Sequence, residues 1–204
     1  PLEAVLTVKD ALKKQNFVRP PFTMKRGDSA SAIEQATYQL SGEISVGGQE
    51  HFYLEGQVSS VEPLEDGGMH VYSSSQHPSE VQKLVAEVLD ISLNKVVVDT
   101  RRMGGGFGGK ETQAAPWACL AALLVRKTGR PVKFKLSRAD DIGMTGKRHP
   151  FENNYHVGFD EQGQIKGIEI TVNGNCGYSP DLSDAIVDRA MFHSDNAYYL
   201  DQAT

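Results

Sequence analysis

The chain has 204 residues, of which 39% are hydrophobic and 23% are charged, and its formal net charge is −5. This composition is typical of a folded globular protein and excludes wholesale disorder. The longest uncharged apolar run, residues 114–125, is shorter than the about 20 residues of a membrane-spanning helix and predicts a buried helix. The two cysteines form no C-x-x-C pair, which argues against an iron–sulfur cluster or structural zinc site within the chain.

Strand-like and helix-like hydrophobic patterns follow one another along the chain. Hairpins are mixed with strand–helix–strand units, which predicts an α+β fold of mixed, largely antiparallel sheets with packed helices. In chain order, the patterns predict a helix within 2–16, a proline-rich connector at 17–22, strands at 38–46, 51–61 and 69–74, a helix from Pro78, a strand at 95–100 covered on both faces, a helix at 113–127, strands at 132–136, 151–159 and 168–172, and a helix capped by Ser179 that ends near His193.

Basic residues are concentrated in one stretch. Residues 101–148 hold eleven Lys or Arg but only three Asp or Glu. Because these bases surround a glycine-rich segment, they indicate a small anionic ligand or an acidic partner, although a solvated basic face fits the charge equally well. Nucleic-acid binding is not expected, since it favours bases interleaved with aromatic residues across the fold.

Five of six consecutive positions are glycine in Gly104–Gly109, and Lys110 and Glu111 follow. Such a segment lets backbone N–H groups approach a ligand closely, so one interpretation is a nucleotide-binding loop. The dinucleotide fingerprint wants an acidic residue about 20 positions further on, but none occurs between Glu111 and Asp140. The phosphate loop wants Ser or Thr where Glu111 stands. A purely structural tight turn is the remaining interpretation from the residues alone.

Four strings, taken together, resemble the molybdopterin-binding part of the xanthine dehydrogenase/oxidase family. They occur in the family's order and spacing across essentially the whole chain. The resemblance implies that residues 1–23 are the tail of a preceding domain with a proline-rich connector, and that 24–204 are the N-terminal part of the molybdenum-cofactor domain. We therefore expect the chain, which begins at Pro1, to be a piece of a longer, bacterial-type molybdenum subunit. The four strings span 47–55, 102–112, 146–151 and 188–193.

The resemblance also implies roles for individual residues. Gln49 matches the glutamine whose amide hydrogen-bonds a molybdenum oxygen, and Phe107 and Gly108 match loop residues that bring backbone to the metal centre. Glu111 matches the carboxylate that holds a purine substrate, and Arg189 matches the arginine that orients it and stabilises developing charge. No metal ligand is expected in this chain, and the family's catalytic base glutamate lies outside it.

Each of these residues has an ordinary structural interpretation as well. Gln49 follows a Gly-Gly turn and could simply be exposed, and Phe107 could anchor the loop in the core. Glu111 could be one of the acidic residues that helices favour in their first turn. Arg189 falls on a predicted helix stripe with Ile186, so it should be buried and should face either a pocket or an acid in an ion pair.

Members of this family hydroxylate electron-poor carbons of heteroaromatic rings or aldehydes with oxygen from water. The resemblance thus implies an oxidoreductase, a xanthine dehydrogenase, that converts hypoxanthine and xanthine to urate in purine catabolism. Molybdopterin would be bound in the full-length protein, with electrons passing to Fe-S clusters and FAD on another subunit or domain and then to NAD. The isolated piece is expected to be inactive and to bind no cofactor.

The expected partners are a purine substrate, an Fe-S/FAD subunit and the remainder of the molybdenum subunit. We expect a cytoplasmic protein that contacts neither nucleic acid nor membrane. Three alternatives stay open: an oxidase of aldehydes or other N-heterocycles from the same family, a nucleotide-binding domain that uses the Gly104–Gly109 loop, and a non-catalytic assembly module.

Overall fold

A computed structural model of the chain describes residues 3–204, and Leu2, where the first predicted helical pattern starts, lies outside these residues. The elements divide into two compact units. The three-stranded unit comprises the described residues up to Gly48 together with His149–Thr204, and the four-stranded unit comprises Gln49–Arg148. In chain order the elements are α1 (Val8–Lys13), α2 (Ser29–Glu34), β1 (Tyr38–Val46), β2 (Val58–Pro63), β3 (Met69–Ser73), α3 (Pro78–Leu89), β4 (Val96–Asp99), α4 (Ala115–Thr128), β5 (Val132–Lys135), α5 (Arg138–Met144), β6 (Phe151–Phe159), β7 (Ile165–Gly174) and α6 (Ser183–Phe192).

The three-stranded unit is built on an antiparallel sheet with strand order β1-β6-β7. Helix α2 lies against two paired glycines of this sheet. A Cβ on Gly158 would lie 2.8 Å from the Cα of Ile33, and one on Gly167 would lie 2.9 Å from the Cβ of Ala32. The missing side chains therefore let the helix approach the strands closely enough to bury Ile33.

The four-stranded unit contains a mixed sheet with strand order β4-β3-β2-β5, in which only β3 and β4 run parallel. Helices α3 and α4 pack against it and against each other. Apolar residues from both helices and the sheet form one fully enclosed core. The run at 114–125 contributes one face to this core, but Leu120, Leu123 and Leu124 are exposed, so the expectation that the whole run is buried was wrong. The core includes Val61, Val71, Val81, Val85, Ala118, Ala121, Ala122 and Val125.

The predicted α+β class with largely antiparallel sheets is confirmed. The longer strands and helices also lie close to their predicted positions. Three further local expectations were wrong. Residues 51–57 form a loop rather than the first half of β2, and α6 begins at Ser183 rather than after Ser179. Val96 of β4 is buried but Val97 is half exposed, so β4 is not covered on both faces. Helices α2 and α5 are too short to give a clear periodic signal and were not predicted.

Among the described residues, no helix is both long enough and apolar enough to cross a membrane.

We predict that Gly158→Ala destabilises the protein by about 1–3 kcal/mol, because the added methyl group would overlap backbone atoms of α2 that cannot move independently. Urea unfolding measures the change. The matched control is Gly47→Ala in the same unit, where an added Cβ meets nothing within 4 Å. Equal stabilities for the two variants would contradict the close packing of α2 on the sheet.

Candidate functional site

The glycine loop, Gly104–Gly109, turns back sharply at its second half. Phe107 has a φ of 54° and Gly108 a φ of 91°, so both lie in the left-handed region. The Phe107 side chain is 73% exposed and therefore contributes little packing energy to the turn. A residue with a side chain costs roughly 1–3 kcal/mol in this conformation, so it persists only where neighbouring groups hold it. Phe107 is thus not the core anchor that its hydrophobicity allowed.

Gln76 is one of the groups that hold the loop. Its side-chain Oε1 accepts hydrogen bonds from the backbone N–H groups of Gly108 at 2.9 Å and Lys110 at 3.2 Å. Its own backbone N–H donates to the Lys110 carbonyl at 2.9 Å. A Cβ on Gly106 would lie 2.4 Å from Gln76 Oε1, so a larger residue there would displace the Gln76 amide. Sequence reasoning missed Gln76 because it lies between β3 and α3, where no periodic pattern marks it.

A buried ion pair between Lys110 and Glu55 also holds the loop. The Lys110 side chain is completely buried, and its Nζ lies 3.2 Å from Glu55 Oε2 and 2.8 Å from Ser74 Oγ. Glu55 Oε2 also accepts the backbone N–H of Gly104 at 2.9 Å. Burial lowers the pKa of Lys110, although Glu55 opposes the shift. Burial acts to raise the pKa of Glu55, but hydrogen bonds from Gly104, Ser74 and Lys110 outweigh it and the pKa is lowered.

These contacts argue against the phosphate-loop interpretation. A phosphate loop needs free backbone N–H groups and a lysine that reaches the ligand. Here the N–H groups of Gly104, Gly108 and Lys110 already donate to side-chain oxygens of the chain, and the Lys110 ammonium is buried against Glu55. The loop is therefore a pre-formed turn that presents its exposed residues rather than a cradle for anions.

A buried hydrogen-bond network supports the C-terminal end of the loop, at Gly109. Gln57 donates from Nε2 to the Gly109 carbonyl at 2.9 Å and to the Tyr53 hydroxyl at 3.1 Å. That hydroxyl donates in turn to Asp141 Oδ1 at 2.6 Å, and Asp141 Oδ2 accepts the Gln57 backbone N–H at 2.7 Å. Burial, with the carboxylate of Asp141 alongside, raises the pKa of Tyr53 to about 12. The network connects helix α5 to the loop without any solvent contact.

Gln49 lies where the four-stranded unit begins and ends. Its backbone pairs with Arg148 through hydrogen bonds of 3.3 Å and 2.9 Å, and its side-chain Oε1 accepts from Arg148 Nη1 at 2.9 Å. The residue is exposed, as its ordinary interpretation allowed, and its amide N–H groups remain available. The glutamines whose side chains contact the glycine loop directly are Gln57 and Gln76.

Glu111 is exposed and lies four residues before the first residue of α4. It is therefore outside the first turn of that helix, and the helix-capping explanation for this acid is wrong. Within residues 3–204, its carboxylate forms no ion pair.

Arg189 is exposed on α6, so the expectation that it is buried beside Ile186 was wrong. The reason is that α6 has little buried surface among the described residues: Ser183 is its only buried residue, and Ile186 itself is only half-buried. The acids of this helix, Asp184 and Asp188, pair instead with Arg19. Arg189 makes no ion pair with any residue that the structure describes. It belongs to the three-stranded unit, whereas the other predicted site residues belong to the four-stranded unit.

Comparison with known families decides what kind of domain carries this loop. Residues 9–204 match the family model described as a molybdopterin cofactor-binding domain. The chain belongs to this family. The molybdopterin cofactor-binding domain also has curated relatives of high similarity, and they confirm the resemblance seen in the sequence motifs.

Three relatives illustrate the range of enzymes that contain a similar domain. A xanthine dehydrogenase/oxidase from Mus musculus is 43% identical over 97% of the chain, and one from Gallus gallus is 41% identical over 97%. A nicotinate hydroxylase from Emericella nidulans is 37% identical over 98%. In each case the chain spans only 15% of the relative's length. The relatives therefore share this domain with the chain but differ in the substrates that their names give.

Solved structures share the fold of this molybdopterin cofactor-binding domain. An aldehyde oxidoreductase from Desulfovibrio desulfuricans superposes with a TM-score of 0.84 over the whole chain and 23% of its own length, at 22% identity. One from Desulfovibrio gigas superposes with a TM-score of 0.79 over 88% of the chain and 20% of its own length, at 23% identity. At these identities the likeness establishes the fold alone.

We predict that Tyr53 makes the domain sensitive to high pH. An unfolded tyrosine ionises near pH 10, whereas folded Tyr53 keeps its proton to about 12, so stability is full below pH 10 and falls as the pH rises through this window. Between pH 8 and pH 11 the free energy of unfolding should fall by about 1 kcal/mol. The Tyr53→Phe variant should not show this decrease. Urea unfolding at both pH values measures it, with the exposed Tyr178→Phe as control. An unchanged alkaline loss in Tyr53→Phe would contradict the buried Tyr53–Asp141 contact.

Proposed function

We propose that the chain is part of a molybdenum hydroxylase, a xanthine dehydrogenase that oxidises hypoxanthine and xanthine to urate with oxygen from water. The observation that carries the purine assignment is the Glu111 carboxylate, which is exposed and unpaired within the described residues and directly follows the buried lysine that ends the glycine loop. Glu111 also lies outside the first turn of α4, so capping that helix does not occupy its carboxylate. Its position and its family match both favour contact with substrate.

The residues around the loop fit a molybdenum cofactor. A Cβ on Gly108 would meet only His51 Nε2, at 3.9 Å, among the described atoms, so a bulky group can approach the backbone there. Gln49 and Gln76 each use the side-chain oxygen internally, which leaves their amide N–H groups as donors for oxygens on a metal. When bound, the molybdopterin group supplies the two-electron redox centre at which the substrate is hydroxylated. Phe107 and Gly108 are the loop residues whose backbone would contact that group.

Gln49 is the residue that the family resemblance assigns as the amide donor to the cofactor, and Gln76 is a second candidate for the same role. Gln76 is favoured by its direct hydrogen bonds to Gly108 and Lys110. Gln49 is held instead by Arg148 at the ends of the four-stranded unit.

Glu111 and Arg189 orient the substrate. A purine offers ring nitrogens and carbonyl oxygens, so a carboxyl group and a guanidinium group can fix it by hydrogen bonds. The guanidinium group also stabilises negative charge that develops on the ring. An aldehyde offers neither set of partners and would leave two polar groups unpaired. Another N-heterocycle is the main competing substrate, since a nicotinate hydroxylase is 37% identical to the chain.

The other parts of the enzyme complete the reaction. We infer that a base glutamate outside this chain removes the proton from the attacking water, and that electrons pass to Fe-S clusters and FAD on another subunit or domain and then to NAD. The chain works with the remainder of the molybdenum subunit, in the cytoplasm, without nucleic acid or membrane. Within the chain, residues 1–23 are proposed to be the preceding tail and connector, and 24–204 the cofactor domain. The isolated chain is expected to bind no cofactor and to be inactive.

In the full-length enzyme, Arg189→Met should lower kcat/KM for xanthine by about 100-fold, the scale of losing one donor that stabilises developing charge. Glu111→Val should lower it as well, because the purine loses its carboxyl partner. Turnover of benzaldehyde should be spared or improved by both changes. The exposed residues Arg130 and Glu161, changed to Met and Val, are the matched controls.

Steady-state kinetics with xanthine, nicotinate and benzaldehyde test the assignment. Unchanged xanthine turnover in both site variants, or a wild-type preference for benzaldehyde or nicotinate, would show that the purine assignment is wrong.

A further inference from the structure

We propose that Lys110 and Glu55 are positioning residues: their buried ion pair fixes the shape of the glycine loop and so aligns Phe107 and Gly108 for the cofactor. This inference rests on the proposed function for its consequence in catalysis. Its structural part, that the pair controls the loop, stands independently of the substrate. Neither side chain is required to touch substrate or cofactor.

The pair joins the two ends of the loop through one carboxylate oxygen. Glu55 Oε2 accepts the Gly104 N–H at 2.9 Å at the start of the loop and lies 3.2 Å from the Lys110 Nζ at its end. The Glu55 backbone N–H also donates to the Gly104 carbonyl at 3.0 Å. A change at this one oxygen therefore acts on both ends of the loop at once.

The Lys110 ammonium group is enclosed by the protein and has no solvent contact. Besides Glu55 it donates to Ser74 Oγ at 2.8 Å, and it lies 4.8 Å from the centre of the Tyr53 ring. Its side chain is wholly buried, whereas that of Glu55 is 39% exposed. A charge in this position is tolerated only because it is paired, so removal of the Glu55 charge leaves an uncompensated buried cation. The lysine acts on the site only through the loop that it anchors.

The loop has few other means of holding its shape. Glycines provide no side chains to pack, and the Phe107 side chain is largely exposed. Other contacts include those of Gln76 with Gly108 and Lys110, and that of Gln57 with Gly109. They bind the second half of the loop, and the Gly109 N–H joins that half to the Gly106 carbonyl at 2.8 Å. The start of the loop, Gly104, is held by Glu55. Loss of the pair should therefore loosen the loop without unfolding the core formed by α3 and α4.

The test uses the full-length holoenzyme with Glu55→Gln, Lys110→Met and the double variant. Glu55→Gln keeps the size of the side chain and an oxygen for Gly104 but removes the charge. Matched controls are Glu62→Gln and Lys133→Met, which change exposed residues on β2 and β5. Hydrogen exchange of peptides covering the glycine loop and covering α3 is measured in each protein, together with melting temperature, molybdenum content, kcat and KM.

We expect loop exchange at least about tenfold faster in Glu55→Gln, which corresponds to roughly 1.4 kcal/mol, with α3 exchange unchanged. For enzyme that still carries molybdenum, kcat should fall by up to about 100-fold while KM changes little, because the reacting groups are misaligned rather than removed. The double variant should lose less melting temperature than the sum of the single variants. The controls should match the wild type in every measurement.

Loop exchange equal to the wild type in Glu55→Gln would overturn the proposal, as would faster exchange spread evenly over the loop and α3. If Lys110→Met fails to fold, Glu55→Gln alone decides. Failure of the purine assignment appears instead in the wild-type substrate preference, so the two results are distinguishable.

Discussion

The buried ammonium group of Lys110 is the interaction on which the geometry of the candidate site depends. A cation without solvent contact needs partners, and it finds them in Glu55 and Ser74. The Glu55 carboxylate also accepts the backbone N–H of Gly104 at the opposite end of the glycine loop. The ion pair with Lys110 therefore holds the two ends of the loop together. The exposed, left-handed turn at Phe107 is held because the residues on either side of it are fixed.

This constraint explains why a glycine-saturated segment is not a phosphate loop. The backbone groups that would bind an anion are occupied by Gln76 and Glu55. What remains exposed is an aromatic side chain, an open glycine backbone and the nearby carboxylate of Glu111. Such a surface suits a large, rigid cofactor with a substrate next to it better than it suits a free phosphate. The match of residues 9–204 to a molybdopterin cofactor-binding domain agrees with this chemistry.

Much of the fold followed from hydrophobic patterns, and the details of the site did not. The alternation in Tyr38–Val46 predicted β1 correctly as a strand, although its apolar residues are exposed among the described residues and β1 is not half-buried as the pattern indicated. The pairing of Lys110 with Glu55 joins residues 55 positions apart, and no local pattern reports such a contact. Arg189 was misjudged because a helical stripe predicts burial only when another element covers it, and Ser183 is the only buried residue of α6. Motifs identified the family, whereas tertiary contacts identified Gln76.

The central claim is that this loop holds a molybdenum cofactor and not a nucleotide. The direct measurement is metal analysis combined with mass spectrometry of the small molecules released from the full-length protein, purified from a host that makes molybdopterin. The account predicts molybdenum and a pterin at close to one per protein copy, with no purine nucleotide bound at comparable amounts. A bound nucleotide without molybdenum, or a folded protein that carries neither, would contradict it.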